Sequence, residues 1–399
     1  MVSPDIRRRM MAIRERGGRV VVLDPRRTET ARHADAFHFI RPGSDALVVF
    51  AMVEHLLARG RDQNSSVLQR FGAEGLEALR EAAAAFPAES VEARTGVPAA
   101  TIRGLADELA ATPRAVLYGR MGTCVQEHGT ATTLLIDLVN ALADNLDHEG
   151  GSRFATPAVD LVRLSAHLPA AQRFGVSRSR VDGYPGFMGE LPVAALLPEI
   201  ETPGPGQIRA LVVHAGNPVA SNPNGARLGR AFDGLELMVA IDMYVNETSR
   251  HADFILPTPV GFERTHYPLF FGVEGVRDFA SFYRPLVPAP DGVRESWDLL
   301  MDIAAGVSAR SGPLRRLIGL TLRGVRRFGP ERILDLLLRI GPHRTRLSTL
   351  EAVGHTTDLG PLQPRLGELL RWKRKRLHLF PELLASQLPA LNALRDEAP

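Results

Sequence analysis

One short polar string, E-T-x-R-H-A-D, occurs twice in the chain, starting once at Glu29 and again at Glu247. Asp24 and Asp242 are separated by the same number of residues as Glu29 and Glu247, and each is the last residue of an apolar segment. A carboxylate at the end of a parallel strand can accept hydrogen bonds from a ribose or a guanine, and the following helix can meet phosphate. The repeat therefore predicts two strand-to-helix crossovers that bind two nucleotide-like ligands, or one ligand with two such ends.

Polar residues around the first copy could supply the contacts. Asp24 could accept from sugar hydroxyls, and Arg26 and Thr28 could donate to a pyrophosphate. In the turn RPGSD, Gly43 precedes Asp45, whose carboxylate could take two N–H donors from a guanine. Ordinary helix capping by Asp and Thr, with a surface arginine, accounts for the same pattern. The spacing alone leaves both interpretations open.

Glycines mark two loops where a ligand could approach the backbone. Gly119 and Gly122 lie in GRMGTC, which does not match the dinucleotide pattern G-x-G-x-x-G. Gly216, Asn217 and Pro218 lie in HAGNPVASNPNG, directly after an apolar strand, where bare N–H groups could face an anion. The second loop is the more specific indication of a ligand.

Three further residues favour structural roles. His33 and His251 hold equal places in the repeat but have no additional paired ligands, so we expect helix-end or core histidines and no protein-made metal site. Cys124, the only cysteine, has no basic neighbour in the sequence and is expected to be a buried thiol. A single cysteine also excludes an internal disulfide and a cysteine-ligated zinc or iron–sulfur site.

Composition indicates a globular protein of more than one domain. Of 399 residues 45% are hydrophobic, enough for two or three cores. The formal charge of +3 does not indicate dedicated nucleic-acid binding. The N-terminal residues lack the apolar region of a signal peptide, and no run of about 18 apolar residues suits a membrane span. A cytoplasmic location is therefore expected.

Strands and helices alternate along the chain, with glycine loops at strand ends, which predicts an α/β, doubly wound architecture. The predicted strands are residues 17–24, the first parts of 114–124 and 208–218, each before a glycine loop, and the two that flank the second repeat. Predicted helices cover 45–60, with Asp45 as N-cap, then 68–85, two short helices around Gly96 and one after Gly129. Residues 150–206 are expected to be loop-like, and the chain from about 290 to be helical and basic.

Two segments permit other interpretations. The sequence pattern of residues 90–112 is similar to that of a DNA-binding helix-turn-helix. Within an α/β repeat, however, two packed surface helices are the better expectation. The basic run at 371–380 is most simply a solvated edge, although it could meet an acidic partner.

Together these stretches resemble the molybdopterin oxidoreductase family, which includes dimethyl sulfoxide reductases, nitrate reductases and formate dehydrogenases. The resemblance is carried, in order, by VVVLDPRRTETARHAD, IRPGSDA, GRMGTCVQEHGT, NALADNLDHEGGSRF, GPGQIRALVVHAGNPVASNP and VAIDMYVNETSRHADFILPTPVGFER. It implies molybdenum or tungsten held between two molybdopterin guanine dinucleotides, each gripped by one of two related Rossmann-like domains. Two crossovers would then serve the two halves of one cofactor.

Residue by residue, the resemblance implies two sets of cofactor contacts. The first half comprises Asp24, Arg26, Thr28, Gly43 and Asp45, with the loop glycines Gly119 and Gly122. The second comprises Gly216, Asn217, Pro218, Asp242, Glu247 and Thr248. Polar candidates for a catalytic role are Arg120, His128 and Glu263. An iron–sulfur cluster is expected only in an N-terminal segment that this sequence does not contain.

The expected domains are residues 1–200, a dinucleotide-binding α/β domain; 205–310, the later half of a second; and 311–399, a helical basic segment. The expected function is that of a partial catalytic subunit for two-electron redox of a small molecule. Possible partners are an iron–sulfur electron-transfer subunit or the missing segments of a split chain. Alternatives are a non-catalytic cofactor- or nucleotide-binding subunit of a redox complex, and a DNA-binding protein.

Overall fold

The computed structural model describes residues 5–165, 174–309, 312–370 and 376–397. The helices are α1 Ile6–Glu15, α2 Glu29–Arg32, α3 Asp45–Ala58, α4 Arg61–Asn64, α5 Ser66–Phe71, α6 Leu76–Ala83, α7 Ala88–Thr95, α8 Ala99–Ala111, α9 Met121–Cys124, α10 Gly129–Leu142, α11 Leu161–Ser165, α12 Leu196–Glu201, α13 Pro218–Ser221, α14 Gly225–Phe232, α15 Ser296–Ala309, α16 Pro313–Phe328, α17 Pro330–Ile340, α18 Leu347–Val353, α19 Leu366–Leu369, α20 Glu382–Ala385 and α21 Leu388–Asp396.

The strands are β1 Val21–Asp24, β2 Ala36–Phe39, β3 Ala73–Glu74, β4 Ala210–His214, β5 Leu237–Ile241, β6 Phe254–Leu256, β7 Asp278–Ala280, β8 Thr357–Gly360 and β9 Leu377–His378. Short 3-10 helices are Val193–Ala195, Ser249–His251 and Phe271–Glu274. The mixed helix and sheet content confirms the predicted α/β class. Within the described ranges, no helix combines the length and apolar character that crossing a membrane requires.

The repeated string forms a parallel crossover in both places, as predicted. β1 pairs in parallel with β2, with Val21 opposite Ala36. β5 pairs in parallel with β6, with Val239 opposite Phe254. The paired residues of the two strand pairs are separated by the same number of positions as Glu29 and Glu247. The two crossovers therefore have the same register. β4 adds a further parallel strand beside β5.

The chain divides into two compact units, Met1–Ala155 with Glu274–Val276 and Pro361–Pro399, and Thr156–Val273 with Arg277–Gly360. In the first unit, α3 is buried almost all round because its sequence, ALVVFAMVEHLLA, is apolar on every face. Phe50 of α3 stacks on Phe86 with ring centroids 4.4 Å apart. Helix α3 lies in one continuous apolar core, where α7, α8 and α10 pack against it.

In the second unit, the three-stranded sheet is covered on one side by α12 and α14. Met238 of β5 packs there with Ile200, Leu228 and Phe232. A separate apolar cluster joins the segment around Val159 to α17 and α18. Each unit thus has a core of its own.

These units group the C-terminal residues differently from the expected segments 1–200, 205–310 and 311–399. Leu366, Leu384 and Leu391 are buried in the core around α3, and β9 pairs with β3. The last part of the chain therefore completes the first unit, while α16 and α17 belong to the second. Sequence order could not show this, because the contacts join residues about 300 positions apart.

Three local predictions were wrong. Residues 68–85, expected to be helical, contain the end of α5, the strand β3 and the helix α6. Residues 114–120 form no strand in the described structure; the backbone N–H and C=O of Leu117 instead bond the side chain of buried Asn140, each at 2.9 Å. Asp45 is the first residue of α3, and Ser44 occupies the N-cap position. The helices around Gly96 do pack as predicted, and Gly96 has a φ of +71°. Part of the basic run at 371–380 lies outside the described residues.

Candidate functional site

Asp24 ends β1 and turns the chain. Its Oδ1 accepts a 2.8 Å hydrogen bond from the N–H of Arg26, and Thr28 then caps α2 by accepting from the N–H of Ala31 at 3.3 Å. The exposed Arg26 side chain has no partner among the described residues. This loop follows the carboxyl end of the strand, where ligands of parallel sheets lie.

Asp242 makes the corresponding turn after β5. Its Oδ1 accepts from the N–H of Tyr244 at 3.2 Å, which is the counterpart in the second copy of the bond between Asp24 and Arg26. It also accepts from the N–H of Met243 at 2.7 Å and, through Oδ2, from Asn246 Nδ2 at 3.1 Å. The second turn is therefore held by more bonds than the first.

The last residue of the repeated string holds each crossover together. The carboxylate of Asp35 accepts from the N–H of Val20 at 2.8 Å, and its own N–H donates to the carbonyl of Val20. Asp253 makes both bonds with Met238, at 2.7 and 2.8 Å. The backbone hydrogen bond from Val20 lowers the pKa of Asp35. This role explains why the Asp recurs in both copies.

Asp45 lies half-buried at the start of α3, after a turn in which Gly43 has a φ of +79°. Its Oδ2 accepts from Gln126 Nε2 at 3.1 Å. Burial raises the pKa of Asp45, and the neighbouring charge of Asp24 adds to the increase. Gln126 Oε1 is buried without a hydrogen-bond partner, so this amide oxygen, on the side chain that contacts Asp45, is an acceptor that lacks a donor.

The glycine loop before α10 is tightly folded at one glycine and open at the other. A Cβ on Gly119 would come within 2.4 Å of Thr123 Oγ1, whereas one on Gly122 would meet nothing within 4 Å. Cys124 is exposed, so the prediction of a buried thiol was wrong. The residues Met121–Cys124 form a short helix, which turns the thiol outward instead of into the core.

The loop after β4 presents unpaired backbone donors. Ala215 has a φ of +49° and donates to the carbonyl of Ile241 at 3.0 Å. The next two N–H groups, of Gly216 and Asn217, have no acceptor within the part of the chain that the structure describes. Successive unpaired N–H groups in a loop are suited to an anion.

Side chains of the repeat fix this loop. Asn217 Nδ2 donates to Glu247 at 2.6 Å, and Asn217 Oδ1 accepts from Thr248 Oγ1 at 2.7 Å. Thr248 Oγ1 in turn accepts from the N–H of Val219 at 3.0 Å. Thr248 is fully buried, so its two bonds are shielded from water, whereas the bond between Asn217 and Glu247 is exposed. Pro218 begins α13 at the end of the same loop.

The three polar candidates for catalysis lie in different surroundings. Arg120 is exposed and donates to the hydroxyl of Tyr118 at 2.9 Å. His128 is buried at the start of α10. Glu263 closes its own turn by accepting from the N–H of Val260 at 2.9 Å. His33 ends α2, and His251 pairs with Asp233 at 2.6 Å, in keeping with the structural roles expected for both.

Sequence reasoning missed Gln126 and Asn246. Gln126 contacts Asp45 across 81 positions of sequence, a distance over which no local pattern carries a signal. Asn246 caps the second crossover through Oδ1, which accepts from the N–H groups of Thr248 and Ser249. Asn246 lies directly before the second copy of the repeated string, and Asn side chains commonly accept hydrogen bonds from backbone N–H groups two residues on. Its position could therefore have predicted this cap.

Relatives of known function share much of this chain. Over 320 residues it is 27% identical to formate dehydrogenase H of Escherichia coli, covering 75% of this chain and 43% of the relative. It is also 27% identical to the thiosulfate reductase molybdopterin-containing subunit PhsA of Salmonella typhimurium, covering 74% and 40%. The chain thus spans about two fifths of the length of these curated relatives.

A solved structure has the same fold. The acetylene hydratase from Pelobacter acetylenicus superposes with a TM-score of 0.70 at 18% identity, covering 94% of this chain and 53% of that one. The family description that matches the sequence, over residues 3–305, is molybdopterin oxidoreductase. On this match the chain belongs to the molybdopterin oxidoreductase family.

Proposed function

We propose that this chain binds a bis(molybdopterin guanine dinucleotide) cofactor through its two crossovers and serves in two-electron redox of a small substrate. The observation that carries the proposal is the repeat itself. The parallel strand pair recurs at the same spacing in sequence. So do the turn after the strand, made by Asp24 and by Asp242, and the bonds that Asp35 and Asp253 make to the start of the strand. A ligand with two similar ends is the simplest reason for building the same Rossmann-like loop twice.

The first unit fits the guanine end of such a ligand. Guanine presents N–H donors at N1 and N2, and Asp45 with Gln126 Oε1 presents acceptors. Asp45 lies near Asp24, whose charge acts on it. Arg26 and Thr28 follow Asp24 directly, and the exposed guanidinium is suited to a pyrophosphate. Gly119 and Gly122 belong to the loop that leads to Gln126.

The second unit fits the phosphate and sugar of the other end. The unpaired N–H groups of Gly216 and Asn217 are donors for phosphate oxygens. Asp242 accepts three hydrogen bonds from its own loop, which leaves one of a carboxylate's roughly four acceptor positions. Glu247 and Thr248 act through Asn217 by fixing the loop in place.

When bound, the molybdenum or tungsten pterin would supply the redox chemistry, and the protein would bind and orient it. We further propose that electrons pass to an iron–sulfur partner subunit or to other segments of a longer or split chain, and that the protein works in the cytoplasm. The likeness to a formate dehydrogenase and to a thiosulfate reductase subunit supports a small redox substrate. Arg120 is the exposed candidate for contacting it; His128 and Glu263 are held by burial and by a local turn.

The test is calorimetric titration of the whole chain with GDP, a probe for the guanine nucleotide end, and with ADP. We expect GDP to bind more tightly, because adenine N1 would place an acceptor against Asp45 and Gln126. Asp45→Ala and Gln126→Ala should weaken GDP binding by about tenfold or more and reduce the preference for guanine.

Asp291→Ala is the control, because it removes an exposed carboxylate far along the chain from both crossovers. Circular dichroism and thermal melting establish that each variant is folded. Equal affinity for GDP and ADP, or unchanged GDP affinity in folded Asp45→Ala, would refute the guanine assignment.

A further inference from the structure

Helix α16 lies outside the family match, which ends at residue 305. Its sequence, PLRRLIGLTLRGVRRF, contains five arginines and no acidic residue. Among its described side chains four large apolar ones are exposed: Ile318 (47%) and a group of three, Leu317 (62%), Leu320 (62%) and Phe328 (47%). At about 3.6 residues per turn these three and Gly324 fall on one side of the helix. We call this row the α16 stripe.

The opposite side of α16 is the one that packs. Arg326 projects there and pairs with Asp298 and Asp302 of α15. Arg294 pairs with the same two carboxylates, and the arginines lower the pKa of Asp298. Gly319, also on that side, is buried. This four-membered ion-pair network fixes the rotation of α16, so the stripe faces away from α15.

Two arginines border the stripe. Arg323 and Arg327 are exposed and have no ion-pair partner among the residues that the structure describes. The apolar surface continues past Phe328 into α17, where Leu336 is 53% and Ile340 63% exposed. Phe328 and Leu336 line one cleft, whose charged residues are of both signs because Glu331, Asp335 and Glu351 lie there with Arg332 and Arg339. Arg339 pairs with Asp335. Exposed apolar residues thus extend over both helices, while the unpaired cations Arg323 and Arg327 lie on α16.

We propose that the α16 stripe, with its border of Arg323 and Arg327, binds the surface of an anionic lipid bilayer. An amphipathic helix of this kind lies in the interface with its apolar side inserted among the acyl chains and its cations at the headgroups. Charge complementarity identifies the occupant: unpaired arginines attract anionic headgroups, and the absence of acidic residues in α16 removes repulsion.

A second copy of this chain is a poorer occupant. Two stripes packed face to face in a symmetric dimer would bring each copy's Arg323 and Arg327 toward the same side chains of the other. Like charges would then be desolvated without partners, which is unfavourable. An acidic protein with an apolar groove is a different class of partner, and the experiment separates it from lipid.

The test is flotation of the full chain with vesicles of phosphatidylcholine alone, or with about one third phosphatidylglycerol. We expect binding to the anionic vesicles only. Arg323→Glu with Arg327→Glu, and separately Leu317→Asp with Leu320→Asp, should each weaken binding by about tenfold or more. The control, Arg178→Glu with Arg230→Glu, makes the same charge change at exposed arginines elsewhere and should leave affinity nearly unchanged.

A Leu320→Trp variant tests insertion itself. Its added emission should shift to shorter wavelength with anionic vesicles, relative to the wild type with its two native tryptophans. An equal loss of binding in the control pair would overturn the proposal, since it would mean general attraction by net charge. Absence of vesicle binding would also overturn it and would leave an acidic protein as the partner to seek.

Discussion

At the scale of single residues, the two halves of the repeat differ in how their polar groups are satisfied. Asp242 and Asn217 are bonded within their own loops, whereas Gln126, which contacts Asp45, leaves a buried acceptor without a donor. Buried acceptors without partners cost stability, and such costs concentrate at binding sites. The first half is therefore where ligand binding should alter stability most.

Asp45→Asn should stabilise the unliganded protein at neutral pH, by less than about 1 kcal/mol. Burial raises the folded-state pKa of Asp45 above its ordinary value of 3.8, so the ionised carboxylate lowers stability as pH rises from that value through the folded pKa. Below pH 3.8 both forms are neutral and the difference should vanish. Urea denaturation of wild type and variant at neutral and acidic pH measures it; a gain that is equal at both pH values would contradict the explanation.

Thr248→Val should destabilise the second unit by about 1–3 kcal/mol, because it leaves Asn217 Oδ1 and the N–H of Val219 without their buried partner. The chain supplies its own control in Thr30, the equivalent residue of the first copy, which is exposed. Thr30→Val should change stability by less than about 0.5 kcal/mol. Chemical denaturation of both variants measures the free energy of unfolding. Equal losses would show that the hydrogen bonds of Thr248 do not stabilise the second unit.

At the scale of elements, sequence pattern succeeded where a segment's neighbours are close in the chain. The β-branched runs before Asp24 and Asp242 form strands because each pairs with the strand that follows its own short helix. Residues 114–120 have the same apolar character but are bonded through Asn140 instead of a neighbouring strand. A strand requires a partner, and composition does not reveal whether one is in reach.

Two glycines in the first unit should respond oppositely to alanine. Gly43→Ala places a Cβ on a residue in the left-handed region, although the space around it is open. That strain should lower the free energy of unfolding by about 1 kcal/mol or more. Gly104→Ala lies inside α8, also with open space, and should stabilise by about 0.5–1 kcal/mol. Thermal denaturation measures both, and a neutral Gly43→Ala would mean that the turn before Asp45 does not require its left-handed conformation.

At the scale of the whole molecule, the sequence predicted the family and the doubled crossover, because both are written in local strings. It did not predict which distant segments share a core. The C-terminal helices pack into the core of the first unit through Leu384 and Leu391. Gln126 donates a hydrogen bond to Asp45, 81 positions away in the sequence. The exposure of Cys124 was missed for the same reason, since burial is a property of the assembled unit.

The stoichiometry of GDP binding tests most directly whether the two crossovers form two separate guanine nucleotide sites, as we propose. Calorimetry on the whole folded chain should give two sites, with Asp45→Ala removing one and Asp242→Ala removing the other. The double variant should bind no GDP. A single site in the wild type, or two sites that persist in either folded variant, would mean that the crossovers do not form two separate guanine nucleotide sites.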